Sequence, residues 1–178
     1  MSNVSNVIIV SMKVYLATDH AGFELKEKVR EFLEKKGYEV EDCGAFSYEK
    51  TDDFTDFISK AGEAVSKDPL SFGIIFGGSG QGEAILANKY KNVRAALFYG
   101  PVAPSQAIDV SGNTSIDGFE ILKLTRAHNN SNMLSLGARF LSIDQAVKAI
   151  DIFLNTPFSG EERHARRIEK IKDIERVT

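Results

Sequence analysis

Cysteine is almost absent from this sequence, and its scarcity limits what can hold the fold together. The 178 residues include one cysteine, Cys43, so no disulfide can form within the chain. A chain that does not depend on disulfides is typical of a reducing compartment, and we expect a cytoplasmic protein. The length still suffices for one domain with a full hydrophobic core.

Long apolar runs and an excess of positive charge are also missing. The longest apolar run, at residues 7–10, is far shorter than the roughly 20 residues that span a bilayer, and no signal peptide is recognisable. The net charge is −3, whereas nucleic-acid binding requires a broad positive field. The sequence therefore predicts neither a membrane protein nor a nucleic-acid-binding protein, although a few local cations can still hold one small phosphate.

Metal-ligand spacings are lacking as well. The three histidines are His20, His128 and His164, and no two of them form an H-x-x-x-H pattern. The single cysteine cannot supply a C-x-x-C pair. Because zinc sites in proteins depend on such spacings, we expect no metal ion.

What the sequence does contain is an alternation of short β-branched runs with amphipathic stretches. Strands are predicted at 13–17, 38–43, 72–76, 93–99 and 132–136, and helices at 23–36, 53–66, 83–90, 143–154 and 163–177. Strands that are separated by helices indicate right-handed βαβ crossovers and a parallel sheet. We expect a single domain over residues 12–178, a three-layer α/β/α sandwich with a Rossmann-like parallel sheet of about five strands.

Two segments depart from this alternation. Residues 1–11 precede a second methionine, Met12, and are predicted to be an N-terminal extension, whether native or not. Residues 100–120 are rich in Pro, Ser, Gly, Asp and Asn and show no period. Such a composition predicts a surface insertion between the fourth and fifth strands.

The most informative stretch is residues 77–83, which read GGSGQGE and follow the third predicted strand. The glycines permit positive φ angles and let several backbone N–H groups point into one concavity, which suits an anion or a developing oxyanion. The dinucleotide fingerprint G-x-G-x-x-G has a different spacing and usually follows the first strand. A loop whose glycines are only structural stays open as the alternative.

Glu83 closes this stretch at the predicted carboxyl edge of the sheet. A carboxylate beside N–H donors can remove a proton from a carbon next to a carbonyl, and the donors can stabilise the resulting enediolate. Partial burial would bring the pKa of such a base nearer neutrality, whereas a helix dipole would oppose that shift. The alternative is a carboxylate that only complements the positive end of a helix.

The C-terminal region carries a basic cluster at residues 163–167, RHARR. Arg163 and Arg167 lie four residues apart and so share one face of the predicted helix, with His164 beside them. Guanidinium groups bind phosphate oxygens in bidentate fashion. The alternative is a solvated charged face whose arginines are neutralised by neighbouring glutamates.

Several motifs together resemble ribose-5-phosphate isomerase type B, a family that includes galactose 6-phosphate and allose 6-phosphate isomerases. They are DHAG at 19–22, GGSGQGE at 77–83, ANK at 87–89, HNN at 128–130, GAR at 137–139 and RHARR at 163–167. The resemblance covers nearly the whole chain from Met12, apart from an insertion predicted at about residues 101–122. It implies a homodimer with the site between subunits, leaves a tetramer open, and implies no cofactor.

The resemblance also implies the residues of the site. The catalytic residues would be Glu83, His128 and Ser79, with Glu83 as the base because Gly77 stands where other members carry a cysteine, and with His128 opening the sugar ring. The substrate-binding residues would be Asp19, His20, Gly78, Gly80, Gly82, Asn129, Arg139, Arg163, His164 and Arg167. Among these, His20 and the arginines match phosphate-binding positions.

The reaction implied is the interconversion of ribose 5-phosphate and ribulose 5-phosphate through an enediolate, a step of the pentose phosphate pathway. One alternative is an isomerase of allose 6-phosphate or galactose 6-phosphate, because sequence does not give the depth of a pocket. The other is a non-catalytic module that binds phosphorylated sugars, which would share the anion-binding glycine turn and the basic cluster but need no base.

Overall fold

The computed structural model describes residues 12–177, so the predicted extension at residues 1–11 lies outside the described part. Strands and helices alternate along these residues. The strands are β1 (Lys13–Thr18), β2 (Glu39–Asp42), β3 (Phe72–Gly77), β4 (Ala95–Phe98) and β5 (Met133–Gly137). The helices are α1 (Phe23–Lys35), α2 (Thr55–Lys67), α3 (Gln81–Ala87), α4 (Glu120–Asn129), α5 (Ile143–Asn155) and α6 (Glu162–Val177).

The five strands form one parallel sheet in the order β2-β1-β3-β5-β4. One hydrophobic cluster joins the sheet to α1, α4 and α5, and a second joins its other face to α2 and α3. The predicted three-layer α/β/α sandwich is therefore confirmed. No helix among residues 12–177 is long and apolar enough to cross a lipid bilayer.

The central strand shows how the two layers of helices are held. Ile74 and Phe76 of β3 pack in the cluster with α1 and α5, whereas Ile75 packs in the cluster with α2. Successive side chains of a strand point to opposite faces, so a continuous apolar run is what a strand covered on both faces requires.

The order of the strands also locates a crevice. From β1 the chain crosses to β2 at one edge, and from β3 it crosses in the opposite direction towards β4. β1 and β3 are neighbours, so the connections that follow them diverge at their carboxyl ends. Open α/β sheets bind ligands in the crevice that such a divergence leaves.

Helix α4 was not predicted from the sequence pattern, and it begins inside the segment predicted as an insertion at about residues 101–122. The inward position four residues after Leu122 is taken by Arg126, which is 6% exposed and interrupts the apolar period. Its guanidinium carbon lies 4.8 Å from the ring centroid of Phe72 and 5.6 Å from that of Phe153. Cation–π stacking thus replaces an aliphatic contact on the buried face of this helix.

The segment predicted as an insertion contains no helix or strand between residues 99 and 119. Its ends are close together, because the backbone N–H of Val102 donates to the carbonyl of Gly118 over 2.9 Å. The segment joins β4 to α4 and therefore begins at the carboxyl edge of the sheet.

Candidate functional site

The glycine turn lies between β3 and α3, at the carboxyl edge of the sheet. The backbone N–H of Ala138 donates to the carbonyl of Gly77 over 2.8 Å, and that of Arg139 donates to Gly78 over 3.2 Å. Gly80 has a φ of 76° and lies so close to β5 that a Cβ would be 3.0 Å from the carbonyl carbon of Leu136. The turn is therefore fixed against the residues that follow β5, and position 80 requires glycine.

Three backbone N–H groups of this turn are unpaired within the described residues. Within residues 12–177, the N–H groups of Gly78, Ser79 and Gly80 have no hydrogen-bond acceptor. Gly82 already belongs to α3 and faces the ring of Phe54, since a Cβ there would lie 3.0 Å from the Cζ atom. The N–H donors predicted for an oxyanion are thus concentrated at residues 78–80.

Glu83 lies in the first turn of α3, and only 5% of its surface is exposed. Its carboxylate rests on the backbone of Gly77, where an added Cβ would be 1.7 Å from Oε1. Burial raises the pKa of Glu83 above its ordinary value, a hydrogen bond from its own backbone N–H lowers it in part, and the charge of Asp19 raises it further. A buried carboxylate with a raised pKa is suited to accept and return a proton.

Asp19 and His20 follow β1 and face the same crevice. Asp19 is 8% exposed, and its Oδ1 accepts a hydrogen bond from the backbone N–H of Ala21 over 2.9 Å. The Nδ1 atom of His20 lies 2.7 Å from Oδ1 of Asp52 and 3.8 Å from Oδ2 of Asp19. Asp52 was not singled out from the sequence pattern, and the structure places it directly against the predicted site residue His20.

These three side chains also form a group that could offer ligands to a cation. One atom from each of Asp19, His20 and Asp52 lies within 4.8 Å of the other two. The distance between His20 and Asp52 is that of a direct hydrogen bond.

His20 and Arg139 line one cleft of about 430 Å³, together with Lys28 and Tyr48. The guanidinium carbon of Arg139 lies 3.3 Å from the place that a Cβ of Gly78 would take. Cationic side chains beside free backbone N–H groups form an environment that suits a phosphorylated ligand.

A second group of predicted site residues lies where α4 ends and α6 begins. The ring centroids of His128 and His164 are 4.2 Å apart. The hydroxyl of Ser159 lies 3.1 Å from Nδ1 of His164, and the backbone N–H of Ser159 donates to the carbonyl of Ala127 over 3.0 Å. The turn before α6 is therefore held against the last turn of α4.

Burial and the nearby cations favour the neutral form of His128. Burial lowers the pKa of His128, and the nearby charges of His164 and Arg163 lower it further. Arg163 donates from Nε to the carboxylate of Glu161 over 2.8 Å, while Arg167, one turn further along α6, is exposed. A neutral imidazole can accept a proton from a substrate hydroxyl, and Arg163 is near enough for its charge to act on His128.

The two groups of predicted site residues lie at opposite ends of the strands. The first group lies at the carboxyl ends and the second at the amino ends. Gly77 pairs with Gly137 where β3 and β5 end. Arg94, just before β4 begins, donates to the carbonyl of Asn129 over 3.1 Å and to that of Asn130 over 2.8 Å. A strand of this length separates its ends by roughly 15 Å. A single chain therefore does not bring His128 and Asn129 to Glu83.

The model of a known family, described as Ribose/Galactose Isomerase, matches residues 14–110 and 117–171. This chain belongs to the ribose/galactose isomerase family. The resemblance seen in the sequence is thereby confirmed. The family match is interrupted at residues 111–116, within the segment predicted as an insertion.

Members of the ribose/galactose isomerase family resemble the chain over nearly its full length. Ribose-5-phosphate isomerase B of Mycolicibacterium paratuberculosis is 39% identical over 166 residues, which cover 93% of this chain and 93% of the relative. The solved structure of ribose-5-phosphate isomerase B from Mycoplasma genitalium, with bound ribulose 5-phosphate, has a TM-score of 0.81 and 33% identity and covers 94% of this chain and 99% of that one. The type B enzyme of Trypanosoma cruzi has a TM-score of 0.79 and 34% identity, with 94% and 98% covered.

In this member of the ribose/galactose isomerase family, the structure places three further residues beside the predicted site. They are Lys28, Tyr48 and Asp52, which lie around His20. Lys28 lies on an exposed face of α1, and Tyr48 and Asp52 lie in the loop between β2 and α2. A loop has no periodicity, so only the tertiary structure shows which of its side chains reach a site.

Proposed function

We propose that this chain interconverts ribose 5-phosphate and ribulose 5-phosphate through an enediolate, with Glu83 as the base. The observation that carries the proposal is the buried Glu83 carboxylate, which lies against Gly77 beside the free N–H groups of the glycine turn. Membership of the ribose/galactose isomerase family supports the reaction class. The names of the relatives support a five-carbon substrate.

The chemistry then follows from the positions of the groups. Glu83 removes the proton from C2 of the open-chain aldose, and negative charge develops on the oxygen at C1. The N–H groups of Gly78, Ser79 and Gly80 donate to that oxygen, in a site where burial excludes water and strengthens each bond. Glu83 returns the proton to C1, the hydroxyl proton at O2 moves to O1, and the ketose results.

The phosphate is placed at the cleft that His20 and Arg139 line. Binding of this remote group positions C1 and C2 against the glycine turn without taking part in the chemistry. Asp19, between Glu83 and His20, is placed to accept a hydrogen bond from a substrate hydroxyl. Arg163 and Arg167 would complete the phosphate site from a second chain.

We infer a second chain because His128 and Asn129 lie at the amino ends of the strands, whereas Glu83 lies at the carboxyl ends. We assign ring opening to the His128 of a partner subunit, whose neutral imidazole would take a hydroxyl proton, with Asn129 holding a neighbouring hydroxyl. The enzyme would thus be a homodimer with two equivalent sites, each built from the glycine turn of one chain and the α4–α6 end of the other.

The test is the variant Glu83→Gln, which keeps the size of the side chain but cannot accept the proton. We expect turnover of ribose 5-phosphate to fall by at least about a thousandfold, while binding of ribulose 5-phosphate changes little. Glu31→Gln, an exposed glutamate on α1, is the matched control and should retain full turnover. Near-normal turnover of the Glu83 variant would remove Glu83 as the base.

Exchange of the C2 proton in deuterated water separates the proposal from its alternatives. A non-catalytic sugar-binding module gives no exchange with any phosphorylated sugar. Running the assay with ribose 5-phosphate, allose 6-phosphate and galactose 6-phosphate identifies the chain length of the substrate. Faster exchange with a six-carbon sugar would overturn the pentose assignment and leave the base unaffected.

A further inference from the structure

We propose that Asp52 is a positioning residue, whose carboxylate fixes the imidazole of His20 for substrate binding. The inference rests on the function proposed above and adds a residue to its site. Oδ1 of Asp52 accepts two hydrogen bonds from His20, one from the backbone N–H over 2.9 Å and one from the ring Nδ1 over 2.7 Å. One oxygen thereby holds both the backbone and the ring of the same residue.

The contact with Asp52 decides which ring nitrogen of His20 faces a ligand. An ionised carboxylate can only accept hydrogen bonds, so Nδ1 must carry a proton. Nε2 is the remaining nitrogen, and His20 lines the same cleft as Arg139. Asp19 cannot replace Asp52 in this role, because its Oδ2 lies 3.8 Å from Nδ1, beyond hydrogen-bond distance.

The loop that carries Asp52 is tied to the strand end that carries His20. The backbone N–H of Thr18 donates to the carbonyl of Gly44 over 2.8 Å, and that of Ala45 donates to Thr18 over 2.8 Å. The loop therefore starts from a fixed position beside the end of β1, and the hydrogen bond from the backbone N–H of His20 holds the Asp52 carboxylate against the same segment.

The second oxygen of Asp52 argues against a purely structural role. Oδ2 is buried and has no hydrogen-bond partner among residues 12–177, and the side chain is 11% exposed. An unpaired buried oxygen of a charged group opposes folding. An asparagine could accept the bonds from His20 without a buried charge, so the loop itself does not require a carboxylate. A carboxylate is the acceptor that holds an Nδ1–H most strongly.

Steady-state kinetics with ribose 5-phosphate test the assignment. We expect Asp52→Ala to raise KM by about 10- to 100-fold with a much smaller change in kcat, because a charge-assisted hydrogen bond to a binding group is lost. Asp52→Asn should lose less, because its amide oxygen still accepts from Nδ1. Asp53→Ala removes the same charge from the adjacent, exposed residue and should leave both constants unchanged.

A double-mutant cycle shows whether Asp52 acts through His20. In a His20→Ala background, the added Asp52→Ala change should have no further effect on KM. If the two losses multiply, or if kcat falls as much as KM rises, Asp52 acts on the fold or on Glu83 and the positioning role is wrong.

Nitrogen NMR of the imidazole rings decides the point without any activity. The His20 Nδ1 resonance should move in Asp52→Ala, whereas those of His128 and His164 should stay in place. An unchanged His20 resonance would overturn the proposal even if the enzyme is an isomerase. An inactive wild-type chain whose His20 resonance still depends on Asp52 would instead count only against the proposed function.

Discussion

At the residue scale, the buried position of Glu83 lowers the stability of the folded chain at neutral pH. Because burial raises the pKa of Glu83, the folded chain binds that proton more tightly than the unfolded chain does. At a pH below 4.5, the ordinary pKa of the group, Glu83 is protonated in both the folded and the unfolded chain, and its ionisation does not reduce stability. As the pH rises through the raised pKa, the buried group must ionise and stability is lost.

Glu83→Gln should therefore stabilise the protein in a pH-dependent way. Its Tm should match that of the wild type near pH 4 and exceed it at pH 8, because glutamine never ionises and the other titrating groups are common to both proteins. Thermal unfolding from pH 4 to pH 8 measures the difference. Glu31→Gln supplies the exposed control, and a difference between Glu83→Gln and wild type that is constant with pH would contradict the account.

Gly77 is constrained by the neighbouring carboxylate rather than by its own backbone angles. A Cβ there would lie 1.7 Å from Oε1 of Glu83, so Gly77→Ala must displace the proposed base. We expect kcat for ribose 5-phosphate to fall by about 100-fold, the loss typical of a misplaced catalytic group. Gly100→Ala has no atom within 4 Å of its new methyl group and should behave as wild type. Equal kcat values for the two variants would show that the observed position of Glu83 is not the reactive one.

At the scale of elements, helix α1 is fixed to β2 by a buried charge. Lys26 is fully buried, and its Nζ contacts Asp42 at the end of β2 and lies 2.9 Å from Oε1 of Glu27. The ammonium group takes the place of an apolar side chain on the inner face of the helix. Its removal leaves a half-buried carboxylate without its cation, which is the costly way to break such a pair.

Lys26→Met should reduce the free energy of unfolding by about 3 kcal/mol. Urea denaturation measures the loss, and Lys35→Met, at an exposed lysine of the same helix, should change stability by less than about 0.5 kcal/mol. Adding Asp42→Asn to Lys26→Met should recover part of the loss, since the unpaired charge is gone. A double variant no more stable than Lys26→Met would show that packing, and not charge, makes Lys26 important.

The features that the sequence pattern did not predict involve buried charged side chains. The predicted strands and most helices follow apolar periods, and the structure contains them with shifts of one to three residues at several ends. Helix α4 was not predicted because Arg126 occupies an inward position of the helix. The burial of Arg126 depends on the rings of Phe72 and Phe153, which are distant in sequence. Asp52 was not predicted as a site residue for a similar reason, because its partner His20 is 32 residues away in the sequence.

Short motifs indicated separate parts of the candidate site but did not give the distances between those parts. The glycine turn, the residues after β1 and the residues after β5 were expected at one edge of the sheet, because parallel strands end together, and the structure places them there. The position of His128 depends on the length and direction of α4, an element the pattern did not show. The roles of all these residues stay predictions.

At the scale of the whole molecule, the residues of the proposed site are divided between the carboxyl ends and the amino ends of the strands. Glu83 and Arg139 lie at the carboxyl edge, and His128, His164 and Arg163 lie at the amino edge. No side-chain movement spans the length of β5, so both halves can contribute to one reaction only if two chains associate. In a dimer with twofold symmetry, each carboxyl edge would face the amino edge of the partner, and two equivalent sites would form.

Mixing two inactive variants tests this arrangement. Glu83→Gln and His128→Ala each lack one half of every site, but a mixed dimer carries one site with both halves intact. After the two are unfolded together and refolded, random pairing should restore about a quarter of the wild-type sites. Glu83→Gln mixed with Arg139→Ala is the matched control, because both changes fall in the same half and mixing restores no intact site. If both mixtures recovered the same activity, or if the first recovered none, His128 would not belong to the active site of the partner. Ring opening would then be assigned to residues of the chain that supplies Glu83.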